Sequence, residues 1–411
     1  MSHMAPSLPL SSPTSNWLRQ KIFLGMTPGG YLRSLVTPGH LIAWAILAVG
    51  LPVAFIRFTQ GLGAASNLTD TNPWGIWIGI DVLCGVALAA GGFIIASTTH
   101  LFGLHEYKPL VRPAILTGFL GYAFVVVGLA FDLGRPWRLP FPMFVSWGTT
   151  SVMFEVGWCV ALYLGCQFLE MFPVFFEWLG FSKLRAWAIK MTIGLTVGAV
   201  MLSTLHQSSL GGLFLIAPSK LHPLWYSMYL PVFFIISAIS GGIGMIIFES
   251  TLSHRTFKVQ TAGHDPKELD KLHIGLSKAG AAIMYGYFWL KWLGVAHDHK
   301  WVFLNTPLGH WWLVEVFGFI AIPGFLFALA VRKRNALIAR VAAVWSVVGL
   351  IVNRINVSVV AFNWQLTERY VPHWMEIVVT LTVITTGVLV FEWMVNRMPI
   401  LLDHPDYPSE H

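Results

Sequence analysis

The sequence predicts an all-α integral membrane protein of ten transmembrane helices. Of its 411 residues 55% are hydrophobic and only 11% charged, where a soluble domain carries about 25% charged residues. The mean hydropathy of +0.66 points the same way. Apolar runs of about 20 residues, enough to cross the hydrocarbon of a bilayer, recur along the chain. They lie near 40–58, 74–99, 113–131, 151–171, 187–207, 226–252, 275–296, 310–331, 337–361 and 374–397.

The loops give the orientation. The net charge is +7, and its Lys and Arg sit mostly in short loops, where they act as topology signals rather than as a nucleic-acid surface. With the amino terminus in the cytoplasm, that side receives fifteen basic residues. The opposite side receives Arg135, Arg138, Lys220, Lys300 and Arg369. Both termini are therefore expected inside. No cleavable leader is evident in the mixed, proline-bearing first 38 residues, so the first apolar run is expected to serve as address and anchor. Outer loops are rich in Pro, Trp, His and Gly, as in "DLGRPWRLPFPMFVSWG" and "FNWQLTERYVPHW". They are expected to fold into a cap able to receive a partner.

A weak repeat organises the spans. "NPWGIWIGIDVLCGVALAAGG" and "HPLWYSMYLPVFFIISAISGG" each run 18 residues from Pro73 or Pro223 to the first Gly of a Gly-Gly pair. Two spans later come "FEVGW" and "VEVFGF", which hold Glu155 and Glu315. Two four-helix bundles, 73–207 and 224–361, account for this pattern; chance likeness between apolar helices is the alternative. The flanking helices are then 39–58 and 374–397, with cytoplasmic segments 1–38 and 398–411. Cys84, Cys159 and Cys166 fall singly inside apolar spans. They read as core residues, since iron–sulfur and zinc sites need clustered thiolates.

Depth along each span locates the chemistry. At 1.5 Å per residue Asp81 is roughly 10 Å from the outer end of its span and Glu155 about 6 Å into the next but one. Asp132 closes the third span, with Arg135 just beyond, and His206 and Gln207 close the fifth, with His222 in the loop after. Each charge in hydrocarbon costs roughly 2.5–3.5 kcal/mol, so these groups are expected to be paired, hydrated or engaged with a ligand. One interpretation is a tie network of Asp132 with Arg135 and Glu155 with His206. The other, favoured because a histidine and a carboxylate exchange protons near neutral pH, is a polar pocket for a ligand entering from the membrane. In the second bundle Glu315 is expected to pair with Lys291 or Arg354, as charge-balanced packing or as a proton-conducting pocket. Glu249, near the inner end of the sixth span, reads as a snorkelling carboxylate or as the inner mouth of a proton path. No histidine lies in the middle of an expected span, so a haem held by two facing histidines is not expected. Two function classes remain, a quinone-binding subunit fed with electrons by a partner and a transporter built on repeats. Polar groups gathered at one face favour the first.

The segments "NPWGIWIGIDVLCG", "AAGGF", "YKPLVRPAILTGFLGY", "DLGRPWRLP", "SVMFEVGW", "MLSTLHQSSLGGL", "LHPLW" and "IFES" resemble the NrfD/PsrC family of quinone-interacting membrane subunits, particularly the HybB-like subunits of hydrogenase-2-type nickel–iron hydrogenases. The resemblance implies ten helices without a cofactor of their own, two four-helix bundles and a flanking helix at each end. It implies a menaquinone or ubiquinone bound as substrate near the outer face, beside a periplasmic iron–sulfur partner, in a bacterial cytoplasmic membrane. The chain by itself would not be catalytic. By the same resemblance Glu155 and His206 serve the quinone, Asp132 matches the aspartate of a D-x-G-R motif, and Glu249 is considered for proton transfer. In the expected chemistry His206 and Gln207 hydrogen-bond quinone carbonyls, His206 and Glu155 deliver protons, and Asp132 orients or relays. Arg135 balances negative charge on the partly reduced ring or pairs with Asp132.

Overall fold

The computed structural model describes residues 17–263 and 265–402. The first sixteen residues of the expected amino-terminal segment, and the expected tail from 403 onward, lie outside them. Among the described residues every regular element is helical, and the only extended pairing is an isolated antiparallel bridge between Leu221 and Phe362. The protein is an all-α integral membrane protein. Its long helices are α1 (Pro38–Gln60), α2 (Trp77–His100), α3 (Val111–Asp132), α4 (Val152–Glu170), α5 (Ser182–Leu215), α6 (Leu230–Thr256), α7 (Pro266–His297), α8 (Pro307–Lys333), α9 (Ala336–Val360) and α10 (Trp374–Val395). Nine helices among the described residues are long and apolar enough to cross a membrane. Helix α7, at 32 residues, is long enough, but Tyr285, Tyr287, Trp289, Lys291 and Trp292 dilute its apolar stretch.

Helix starts follow local chemistry. Thr37, Asp265 and Thr306 each accept a backbone N–H of the first turn, and each is followed by a proline whose missing N–H costs nothing there. Asn335 caps α9, and His373 with Glu376 forms a reciprocal cap on α10.

Helices α2, α3, α4 and α5 pack in a ring, and so do α6, α7, α8 and α9; α1 pairs with α10, which lies against α3. The rings meet where α5 lies along α6 and where α2 crosses α6. There the two Gly-Gly pairs of the sequence repeat touch: a Cβ on Gly242 would lie 2.9 Å from the Gly91 nitrogen. Only glycine permits that backbone approach. The first and last described segments sit at one end, since Arg397 donates to Ile22 O and to the Tyr31 hydroxyl, both at 2.7 Å. This end is called the terminal face and the other the cap face. At the cap face the loops are tied together, with His222 N–H on Ala361 O at 2.9 Å and Asn363 Nδ2 on Thr71 O at 2.6 Å.

One boundary differs from expectation. The fifth span was expected to stop at His206–Gln207, but α5 continues through "STLHQSSLGG" to Leu215. Ser208 and Ser209 turn their hydroxyls onto Leu205 O, so neither competes for the helix backbone elsewhere. Gly211 lets α5 lie directly on the start of α6; a Cβ there would be 2.6 Å from Leu230 O.

Candidate site in the first helical ring

The extra length of α5 moves His206 from a helix end to the middle of the ring. It lies nine residues from Leu215, about 14 Å from that end. Tyr163 is about 16 Å into α4 and Tyr122 about 15 Å from the end of α3, so three helices present these rings at one level. His206 is fully buried. Its Nδ1 is 3.0 Å from Leu202 O and its Nε2 is 2.6 Å from the Tyr122 hydroxyl. With Nδ1–H donating to the carbonyl, a neutral imidazole accepts the tyrosine proton at Nε2. The Tyr122 and Tyr163 rings lie 4.2 Å apart between centroids, and Tyr163 is 5.9 Å from the imidazole. Gln207 reaches across to α2 and donates to Val86 O at 3.1 Å. That carbonyl is released because the Ala90 N–H bonds Ala87 O instead.

The other expected site residues are divided among separate places. Asp81 lies within a widened π-helical turn of α2, Trp77–Cys84, and accepts from Thr380 of α10 at 3.0 Å. Asp132 sits beside Arg57 of α1, whose guanidinium donates to Phe131 O at 2.7 Å and to Leu133 O at 2.6 Å. Each aspartate keeps one buried oxygen without a partner. These acids therefore gather on the α1/α10 flank, away from His206, because Gly128 of α3 admits Asp81 on that side. Glu155 is exposed in the first turn of α4, eight residues and about 12 Å from Tyr163 along the axis. Arg135 is exposed in the loop after α3. The tie-network pairs Asp132–Arg135 and Glu155–His206 do not form.

His222 belongs to the cap of the second ring. It is enclosed by Trp225, Phe303 and Trp364, with ring centroids 4.8–5.7 Å away. Its Nδ1 accepts the Leu224 N–H at 3.3 Å. Burial pushes its imidazole down to about 4, so it is neutral at physiological pH.

In the second ring Glu315 accepts from Trp225 at 2.7 Å, Asn353 at 2.7 Å and Asn356 at 2.6 Å, with Lys291 at 3.9 Å. Arg354 donates to Asn353 at 3.0 Å and to Ser237 at 2.9 Å, and lies 3.9 Å over the Phe234 ring. The expected Glu315–Lys291 pairing is present, inside a network whose acceptors are nearly saturated. Glu315 and the start of the Asn356–Val360 segment again lie in π-helical turns, which are frequent at functional sites. Glu249 is buried in α6 and accepts from Ser253 at 2.6 Å.

The histidines buried within helices, His206 and His273, belong to different rings and to opposite halves of the span. Each has Nε2 engaged, His273 with Ser250 at 2.8 Å. Among the described residues no group of three or more His, Cys, Asp or Glu is placed to hold a metal ion. Sequence reasoning missed Tyr122, Tyr163, Gln167 and Glu170, all buried in this ring. Their signal was spacing: 163, 167 and 170 share one face of α4, and 196, 203 and 206 share one face of α5.

The family described as polysulphide reductase, NrfD, matches residues 64–363. A Nitratidesulfovibrio vulgaris protein, named only "Protein", is 52% identical over 92% of this chain and 98% of its own. The probable Ni/Fe-hydrogenase 2 b-type cytochrome subunit of Escherichia coli is 29% identical over 89% of this chain and 93% of its own. The menaquinone reductase integral membrane subunit of Nitratidesulfovibrio vulgaris is 24% identical over 85% and 88%.

Proposed function

The chain belongs to the NrfD family, and we propose that it is the quinone-handling membrane subunit of a respiratory oxidoreductase complex. The observation that carries this is the His206–Tyr122 pair, buried between aromatic faces at mid-span. A quinone head is a flat ring with two carbonyl acceptors. Aromatic walls and a convertible hydrogen-bond donor are what such a ring needs. Several similar proteins carry names that mention a menaquinone reductase, a menaquinol oxidoreductase or a hydrogenase, which supports the same reading.

In the proposed mechanism a partner docked on the cap face supplies electrons, and this chain supplies position and protons. The quinone enters from lipid on the α4 side, past Glu155, toward His206. While His206 is neutral, the Tyr122 proton points at Nε2. A proton on Nε2 makes Tyr122 the acceptor and turns its own O–H toward a quinone carbonyl. Gln207 supplies a second amide near the same level. Glu155, exposed and with no side-chain hydrogen bond or ion pair among the described residues, serves the carbonyl nearer the cap. Asp132, with Asp81 and Arg57, holds α1 and α10 against this ring and orients the entrance. The partner is proposed to be a periplasmic iron–sulfur subunit with a nickel–iron hydrogenase or another catalytic module beyond it. The terminal face, which carries the basic loops, is then cytoplasmic in a bacterial inner membrane. Quinone reduction by the assembled complex tests the assignment: Glu155→Gln and His206→Ala are each expected to lower it, and full rates in both would refute it.

A further inference from the structure

Below His206 the first ring holds a line of buried polar groups that continues toward the terminal face. Tyr163 packs on Tyr122 and its hydroxyl accepts from Gln167 at 2.5 Å. One turn on, Glu170 accepts from Thr196 of α5 at 3.0 Å. Farther on, Glu177 pairs with Arg112 at 2.9 Å and Arg185 at 2.7 Å, at the mouth of the ring. Gln167, Glu170, Glu177 and Thr196 are all at most 6% exposed. The amide oxygen of Gln167 and the second carboxylate oxygen of Glu170 and of Glu177 are buried without a partner.

Orphaned oxygens at Gln167 and Glu170 on one face of α4, and at Glu177 in the short helix Phe172–Leu179 that follows, ask for water or a proton. Glu170 has a single hydroxyl partner and no ion pair among the described residues. Glu315 of the second ring differs, with three hydrogen-bond donors and a nearby lysine. Thr196 faces Glu170 from α5, and Gln167 precedes it by about one turn on α4. Gln167 lies against Gly92 of α2 and Gly118 of α3, where a Cβ would come within 3.2–3.3 Å of its amide nitrogen.

We propose that Glu170 is the relay of a water-assisted proton file. The file runs from the Glu177–Arg112–Arg185 mouth through Glu170, Gln167 and Tyr163 to the Tyr122–His206 pair. It rests on the quinone assignment above and adds the side from which protons come. Each quinone takes two electrons from the electron-donating partner and two protons, which become its two O–H groups. With electrons arriving at the cap face and protons at the terminal face, each turnover separates charge across the membrane. Glu249 lies in the other ring and is not part of this file.

The test is the complex purified with its partner subunits and reconstituted into vesicles, with quinone reduction, proton uptake on the terminal side and binding of a quinone analogue all measured. In Glu170→Gln, terminal-side uptake and the quinone reduction coupled to it are expected to fall about tenfold or more, with analogue binding unchanged. Glu170→Asp is expected to recover part of the rate. Thr196→Val, which keeps the acid, serves if Glu170→Gln does not assemble and is expected to slow uptake. Loss of analogue binding in His206→Ala tests the quinone site separately. Full terminal-side uptake in Glu170→Gln or, where that variant does not assemble, in Thr196→Val overturns the file. So does uptake from the cap side in the parent, or loss of terminal-side uptake in Glu249→Gln alone.

Discussion

Tyr122 decides what His206 can do. The Leu202 carbonyl, 3.0 Å from Nδ1, holds the imidazole in one tautomer, and the 2.6 Å contact of Tyr122 with Nε2 makes the pair a switch. Tyr122→Phe leaves Nε2 with only the distant Gln207 amide at 3.4 Å. The expected cost is about 1 kcal/mol of stability and about a tenfold or greater loss of quinone reduction, read by melting and steady-state rates on the same preparation. His222 offers a pH test outside the membrane. Its folded value of about 4 lies below the ordinary 6.5 because burial disfavours the charged ring. The unfolded chain therefore binds the proton first. Its contribution to stability is complete above 6.5 and is lost as pH falls toward about 4. His222→Phe is expected to flatten that slope; an unchanged slope would assign the pH sensitivity to other groups. At this scale the sequence revealed the charges but not their company. Depth counting placed Asp81, Asp132, Glu155 and His206 near one level, yet it carries no information about which way a side chain turns around its helix. Tyrosine and glutamine drew no attention because they carry no charge, although in hydrocarbon their polar atoms need partners as well.

Helix α5 shows why boundaries were harder to read than spans. "HQSSLGG" has the composition of a turn, and serine and glycine usually end helices in water. Here the two serines bond back to Leu205 and Gly211 makes room for α6, so packing overrides local propensity. Gly211→Val would press a branched side chain onto Leu230 O. The expected result is a loss on the order of 1–3 kcal/mol and poor assembly, measured by thermal aggregation of the solubilised protein. Assembly at parental stability would show that α5 and α6 are not held this closely. The π-helical turns at Trp77–Cys84, Val314–Ala321 and Asn356–Val360 had no signature in the sequence. They arise where Asp81, Glu315 and the Asn353–Asn356 segment meet partners on other helices.

Across the whole molecule, hydropathy made the helical membrane architecture legible, since apolar runs of bilayer length have few other uses. The paired glycines on which a repeat was expected meet in space, at the Gly91–Gly242 crossing of α2 and α6. The partner is not legible in this way, because the cap loops record an exposed surface and not what covers it. If the cap receives an electron-donating subunit, affinity purification of the chain from native membranes is expected to bring that subunit with it; a chain that purifies alone with full quinone activity would contradict the assembly. The central claim concerns the His206–Tyr122 pair. The most direct measurement is quinone reduction by the complex with its co-purifying subunits, for the parent and His206→Ala at matched quinone concentrations. A loss of about two orders of magnitude with assembly intact is the expected result, and a parental rate in His206→Ala would contradict it.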